Sequence, residues 1–348
     1  MHTHRRIKGI FAAGVTGGHI YPALAVAKEI EKIASLEALF VGAGRGAEPR
    51  IFKDFPYKYK IIHARGSDVG KISYIYHNAL AFLQAILIIQ KLKPDFVFTT
   101  GGYIGGIVGY AAHLLKVPLF LHESNVSAGI SNKKLSKYTL IEFCSFKSTL
   151  HEFPHAVLTG MPIREGFSLQ RDENFRTDFS IDEGAKVILA FGGSEGADVI
   201  DKIVDEIANE MADYIFFHIG KSKIKASNIV HFDYFDDIAY IMRNADAVIS
   251  RAGASTVAEI IASSTPAILI PWKGALNSHQ ELNARYLEKA GGAFVVDENN
   301  FSLEKIIYLL EKIVDPNIGL KMSKSLEQLN SSGFSAEVIA RTIVRIKS

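Results

Sequence analysis

Several short clusters in the sequence combine glycine, hydroxyl, amide and imidazole groups in a pattern that suits a phosphorylated, hydroxyl-rich ligand. The first is Gly14-Val15-Thr16-Gly17-Gly18-His19. Glycines directly after a strand let the backbone approach an anion, and amides at the start of the next helix add the positive end of its dipole. Pro22 is pre-set for an early helical position. His19, an imidazole beside an anion-binding turn, is a candidate general base, although the same residues also suit a plain strand-to-helix turn with a capping histidine. A second cluster, Gly192 to Ala197, places Ser194 as a helix cap whose hydroxyl and neighbouring amides face a phosphate. A third runs from Arg251 to Glu259 after a strand ending at Ser250. Here Thr256-Val257-Ala258-Glu259 is by itself a capping box, so Glu259 either caps the helix or binds ligand hydroxyls. His279 and Gln280, within Asn277 to Asn283, and the run His122-Glu123-Ser124-Asn125 carry groups that donate and accept on adjacent hydroxyls. Each is equally an ordinary polar loop.

The elements that must position these groups follow a regular order. Strand patterns are clear at Ile7 to Ala13, Phe96 to Thr100, Pro118 to His122, Val187 to Phe191, Tyr214 to Ile219, Ala247 to Ser250 and Ala267 to Pro271. They alternate with helical patterns, as in parallel sheets covered on both faces, where ligands bind at the carboxyl ends of strands. The strand, glycine turn and helix motif restarts about 180 residues after its first appearance. The expectation is an α/β protein of two doubly wound, Rossmann-like domains facing each other across a cleft. The linker is read at Gly160 to Gly166, followed by the polar run Gln170 to Asp178. Domain 1–164 is joined by a terminal amphipathic helix, 335–348, able to pack back on it; 165–334 form the second domain.

Composition narrows the classes. The 348 residues exceed one core, and 48% hydrophobic with 22% charged residues is globular. A single cysteine, Cys144, cannot form an internal disulfide, which suggests a reducing compartment. Lys8 and Gly9 interrupt the first apolar run, arguing against a signal peptide. The uncharged stretch Ile72 to Gln90, 19 residues, approaches spanning length but carries His77, Asn78, Gln84 and Gln90; a surface-docking or wholly buried crossover helix is favoured over a membrane span. Met1 to Arg164 hold 20 Lys plus Arg against 10 Asp plus Glu, whereas the remainder holds 19 against 27. The first half therefore faces something anionic: nucleic acid, phospholipid headgroups or a phosphorylated substrate. No Asp-x-Asp triplet or CxxC occurs, so neither a resident metal nor another cofactor is expected. The glycine turn is neither GxGxxG nor a Walker loop, which disfavours a nicotinamide-dependent dehydrogenase.

Taken in order, these residues resemble a known family. Gly14 to Ala25 is similar to the GGTGGHxxPALA opening of the MurG family, the UDP-N-acetylglucosamine:undecaprenyl-pyrophosphoryl-MurNAc-pentapeptide N-acetylglucosaminyltransferases of glycosyltransferase family 28. The likeness continues through Gly101-Gly102-Tyr103 (GGYxSGP), His122 to Asn125 (HEQN), Gly160 to Arg164 (GNPVR), Gly192 to Ala197 (GGSQGA), Phe235-Asp236-Asp237, Arg251 to Glu259 (RSGALTxSE) and His279 to Ala284 (HQxxNA). Val15, Gly105, Ile107, Ser124, Met161, Glu195 and Ser278 depart from the pattern.

The resemblance implies a GT-B fold and an inverting, metal-independent transfer of GlcNAc from UDP-GlcNAc to the C4 hydroxyl of MurNAc in lipid I, giving lipid II in peptidoglycan synthesis. It implies that Glu259 binds the ribose and that main-chain groups at Phe235 read the uracil. Arg164, Ser194 and the helix start Gly253, Ala254, Ser255 and Thr256 would hold the diphosphate. Asn125, His279 and Gln280 would contact the donor. Thr16, Gly17 and Gly18 would bind UDP-GlcNAc, while the loops at Gly17-Gly18 and Gly101-Gly102, with Tyr103, look like the acceptor-pyrophosphate side. His19 is the first choice of base and Glu123 the second. The implied partners are UDP-GlcNAc, a lipid-linked MurNAc-peptide acceptor and an anionic membrane surface rather than nucleic acid. The implied location is peripheral, on the cytoplasmic face of the bacterial cell membrane. A related GT-B lipid glycosyltransferase with another acceptor, such as diacylglycerol, is the alternative.

Overall fold

The computed structural model describes residues 6–53, 55–66, 69–193, 197–221, 226–275, 278–330 and 335–346. The chain divides into two compact units, 1–164 with 334–348, and 165–333. The first unit holds a seven-stranded sheet made of β1 (Arg6–Ala12), β2 (Ser35–Gly42), β3 (Lys58–Ile61), β4 (Phe96–Thr99), β5 (Leu119–Glu123), β6 (Ile141–Cys144) and β7 (Val157–Leu158). Its order is β3-β2-β1-β4-β5-β6-β7 and every pairing is parallel. The second unit repeats the plan with β8 (Lys186–Phe191), β9 (Tyr214–Ile219), β10 (Ile229–Phe232), β11 (Ala247–Ser250), β12 (Ala267–Leu269) and β13 (Ala293–Val295), ordered β10-β9-β8-β11-β12-β13. In each unit the strand order reverses beside the first strand, the switch point at which open α/β sheets bind ligands.

Alternation along the strands sorts the first core into two faces. Phe96 and Phe98 of β4 join Phe11, Phe40, Phe120 and Phe143 on one side, where the Phe11 and Phe40 rings stack at 5.0 Å. Gly9 pairs with Phe96 in register, and only the missing side chain admits the phenyl ring there. Helix Gly17–Ile33 covers this face together with the terminal helix Ser335–Ile346, whose Ile339, Ala340 and Ile343 are buried with Ala23, Val26 and Ile30. Val97, Leu119 and Leu121 point the other way, under helices Lys71–Leu92 and Gly102–Leu114. In the second unit Ile188, Ala190, Phe216, Ile249 and Ile268 form the equivalent core with Ile200, Ile203 and Leu310.

Helix Lys71–Leu92 is long and apolar enough to cross a membrane by length and composition. Its placement is that of a crossover between β3 and β4, but not of a wholly buried one. Only Ala81, Ala85 and Ile89 are buried. Asn78 bonds the backbone of Arg65 and Gln84 that of His63, so two of the four polar residues that argued against a span face the protein, whereas Gln90 is exposed. Ile72, Ile75, Tyr76, Leu83 and Leu87, spaced three or four apart or by seven, form an exposed stripe.

Candidate active site

In the first unit the sheet sets β1, β4 and β5 side by side, so the loops leaving their carboxyl ends are neighbours. Thr99 Oγ1 accepts from the Gly101 N–H (3.0 Å) and donates to the Ala12 carbonyl (3.1 Å), tying the second glycine turn to β1. Thr100 Oγ1 donates to the His19 carbonyl at 3.0 Å. The His19 Nδ1 lies 3.1 Å from the Thr100 carbonyl oxygen, which can only accept. Nδ1 therefore carries the proton, and Nε2 presents its lone pair toward the open side of Gly102, where an added Cβ would lie 3.3 Å from it. Burial lowers the pKa of this imidazole more than the nearby Glu123 charge and the Thr100 bond raise it, so it is neutral at pH 7.

Two helices begin at these turns with no side-chain cap: Gly17–Ile33 after Thr16, and Gly102–Leu114 after Gly101. Gly101 and Gly102 adopt φ of 95° and 69°, where an L side chain is strained, and a Cβ on Gly101 would collide with Asn132 Oδ1. Tyr103 follows in the helix. Arg164, the last residue of the first segment of this unit, stacks its guanidinium 4.4 Å from the Tyr21 ring centre.

Glu123 is 1% exposed and its carboxylate is saturated. Oε1 accepts from the Asn125 N–H (2.9 Å) and Nδ2 (3.0 Å), and Oε2 from the Gly129 N–H (2.9 Å) and Asn132 Nδ2 (2.7 Å). All four of these donors converge on one carboxylate, whose place in the network is to fix Asn125 and Asn132. His122 is buried on the Gly160 carbonyl, and burial pulls its pKa down to about 4.

Glu48 was not singled out by sequence, for it sits 33 residues from the turn it serves. It is fully buried, and its carboxylate accepts the N–H groups of Val15 (2.5 Å), Ala43 (2.9 Å) and Gly44 (2.6 Å). It thereby joins the turn after β1 to the end of β2 and holds Val15, a β-branched residue, at φ 71°. The sequence also spells His151-Glu152-Phe153-Pro154-His155, an HExxH pattern that binds zinc only on a helix. Here His151 ends a 3₁₀ segment, Pro154 follows, and Glu152 is held by Ser127, Ala128 and Lys133, so the two histidines share no helical face.

In the second unit β8, β11 and β12 are adjacent. Ser194 lies outside the described residues. Helix Ala254–Ser263 starts at Gly253 with no side-chain cap. The capping box is thus not formed: Thr256 and Glu259 sit inside the helix and are buried. Ala254, Ser255 and Thr256 supply its first-turn amides. Asn283 Nδ2 donates to the Ala252 carbonyl at 3.2 Å, drawing helix His279–Ala290 against this turn. His279 opens that helix, and Gln280 Oε1 accepts the Trp272 N–H at 2.9 Å. Arg251 is taken up by Glu298 at 2.6 Å and the Ile270 carbonyl at 3.0 Å. Phe235 follows β10 with its ring 4.7 Å from that of Phe232, and Asp237 caps the next helix through the Tyr240 N–H.

Two parallel-sheet domains of this topology, each with amide-rich turns at its strand ends, define the GT-B class of glycosyltransferase folds. Residues 10–143 match the glycosyltransferase family 28 N-terminal domain and residues 187–337 its C-terminal domain. The UDP-N-acetylglucosamine--N-acetylmuramyl-(pentapeptide) pyrophosphoryl-undecaprenol N-acetylglucosamine transferase of Thermosipho africanus is 34% identical, over 86% of this chain and 90% of its own length. The chain belongs to glycosyltransferase family 28. Its fold is similar to that of Acinetobacter baumannii MurG, with a TM-score of 0.75 and 24% identity, covering 98% of this chain and 99% of that one. It is also similar to UDP-GlcNAc 2-epimerase from Neisseria meningitidis, at a TM-score of 0.67 and 13% identity over 98% and 100% of the two chains. The same architecture therefore serves different chemistry, and function must be argued from the site.

Proposed function

We propose that this chain transfers GlcNAc from UDP-GlcNAc to the C4 hydroxyl of a lipid-linked MurNAc-pentapeptide, with inversion. Relatives that carry this name over nearly their full length support the reading. The observation that carries the mechanism is the contact of His19 Nδ1 with the Thr100 carbonyl, an acceptor only, which assigns the proton of a neutral imidazole to Nδ1 and leaves Nε2 unprotonated on the side of the Gly101-Gly102 turn. In this reading Nε2 takes the proton of the C4 hydroxyl as its oxygen bonds the anomeric carbon. The bond from that carbon to the UDP oxygen breaks, and the electron pair leaves with UDP. Glu123 is a positioning residue for Asn125 and Asn132 rather than a second base.

The donor belongs to 165–334. The uncapped helix start at Gly253 to Thr256 binds the diphosphate and stabilises its growing charge as UDP departs, and the family resemblance assigns Ser194 and Arg164 to the same group. Glu259 takes the ribose hydroxyls, Phe235 main-chain groups the uracil, and His279 and Gln280 the sugar. The acceptor belongs to 1–164 with 335–348, its pyrophosphate at the Gly17-Gly18 and Gly101-Gly102-Tyr103 turns. The exposed stripe Ile72, Ile75, Leu83 and Leu87, with Lys71, Lys91 and Lys93 at the helix ends, docks on the anionic cytoplasmic face of the bacterial membrane where a polyprenyl acceptor resides.

His19→Ala tests the mechanism. Loss of a general base lowers kcat by roughly 10² to 10⁴ with little change in the KM for UDP-GlcNAc, measured as UDP release. A kcat within a few-fold of wild type removes His19 from this role.

A further inference from the structure

We propose that Trp272 forms an aromatic wall of the donor-sugar subsite, stacked on the apolar face of the hexosamine ring, while the amide nitrogen of Gln280 donates to one of its polar substituents. This rests on the reading that the second unit binds UDP-GlcNAc. Trp272 is the only tryptophan in the chain and follows Pro271 at the carboxyl end of β12, beside the turn that leaves β11. It is 48% exposed.

The exposed indole stands on a segment pinned from several sides. The Trp272 N–H donates to Gln280 Oε1, and its carbonyl accepts from the Ala275 N–H at 3.1 Å. The Lys273 N–H donates to Glu298 Oε1 at 2.8 Å and its Nζ pairs with Asp297 at 2.6 Å. Glu298 is itself held by Arg251, the residue that opens the turn after β11. Gly274 supplies the floor: a Cβ there would lie 2.6 Å from Trp272 Cζ2 and 2.7 Å from Cε2, so only glycine lets the ring rest over this backbone.

The chemistry of the pair is complementary to a pyranose. A sugar ring offers a face of C–H groups edged by hydroxyl and acetamido oxygens, which match an aromatic plane and an adjacent donor. Because Gln280 Oε1 is committed to a backbone N–H, its Nε2 presents two donors in the other direction. An indole fixed in advance loses little side-chain entropy on binding, so the contact is preorganised.

A single tryptophan makes the test direct, since its emission reports this position alone. With the full chain, UDP-GlcNAc changes the emission at concentrations that saturate binding by calorimetry, whereas UDP alone changes it little. Trp272→Ala weakens UDP-GlcNAc binding roughly three- to tenfold, the worth of one aromatic contact, and UDP binding by less than about twofold. Trp272→Phe recovers most of the difference. Emission indifferent to saturating UDP-GlcNAc, or an equal loss for UDP and UDP-GlcNAc in Trp272→Ala, overturns the proposal while leaving donor binding in place. A wild-type chain that binds neither compound overturns the donor reading and this one with it.

Discussion

Glu48 offers the sharpest test of how the first glycine turn is held. Its carboxylate is 0% exposed and accepts three backbone N–H groups, two at Oε1 from Val15 and Ala43 and one at Oε2 from Gly44. Glu48→Gln keeps an acceptor for Val15 and Ala43 but turns an amide NH₂ toward the Gly44 N–H. One bond is lost and two donors face each other, a cost of about 2 kcal/mol. Glu48→Ala orphans all three amides; at ~1–3 kcal/mol each, partly relieved by water entering the cavity, the cost is about 4 kcal/mol. Val15 is then released as well, because its φ of 71° is sustained by this bond and by the Ala47 N–H to its carbonyl at 2.7 Å. Hydrogen exchange followed by mass spectrometry on peptides spanning 10–20 and 38–48 reads the effect locally. Opening of these amides accelerates by roughly 30-fold for Glu48→Gln and by more for Glu48→Ala. Since helix Gly17–Ile33 starts from this turn and carries His19, kcat falls along with protection. Wild-type exchange in Glu48→Ala would refute the idea that this buried carboxylate fixes the turn.

Acid stability follows from His122. Burial takes its pKa from 6.5 to about 4, so between those values the unfolded chain binds more protons than the native one. Stability present above pH 6.5 is therefore lost as pH falls toward 4, by up to about 3 kcal/mol from this residue. Burial lowers His19 and His218 in the same direction. Denaturation midpoints at pH 7 and pH 4.5 should differ less in His122→Gln than in wild type; equal differences count against the assignment. The docking stripe predicts that Leu83→Glu with Leu87→Glu, at positions 58% and 64% exposed, leaves the melting temperature nearly unchanged. The pair should reduce sedimentation with anionic vesicles at least about tenfold, given ~1–2 kcal/mol for each partly buried leucine. Undiminished binding removes the stripe from the interface. The rate of UDP release should also fall below neutral pH as His19 Nε2 is protonated, with a midpoint below 6.5, and His19→Ala should flatten that limb.

Much of the fold was legible because fully buried parallel strands read as continuous apolar runs. Phe96–Thr99 and Ala247–Ser250 are buried at every position. Six strands, β2, β3, β6, β7, β10 and β13, escaped notice, and several of them carry weaker signals. β3 is Lys-Tyr-Lys-Ile and exposed throughout, β7 has two residues, and β2 follows helix Gly17–Ile33 after a single residue. Local pattern misled at Thr256-Val257-Ala258-Glu259, where the capping-box spelling is real but the helix is capped at Gly253, three residues before Thr256, which leaves both side chains inside it. The carboxylates show the wider limit. Glu123 looked like a base and Glu48 like nothing, yet both carboxylates are taken up by N–H donors: Glu123 by Asn125, Gly129 and Asn132 within nine residues of it, and Glu48 by Ala43, Gly44 and the distant Val15, which the pairing of β1 with β2 brings near. His19 was identified from residue type and turn alone; its tautomer depended on Thr100, 81 residues away.

The most direct measurement is UDP release from UDP-GlcNAc by the full chain, with and without a lipid-linked MurNAc-pentapeptide analogue, in wild type and His19→Ala. Acceptor-dependent release in wild type, reduced at least about 100-fold in His19→Ala, is the predicted result. Release that ignores this acceptor but responds to diacylglycerol, or that survives loss of the imidazole, would contradict it.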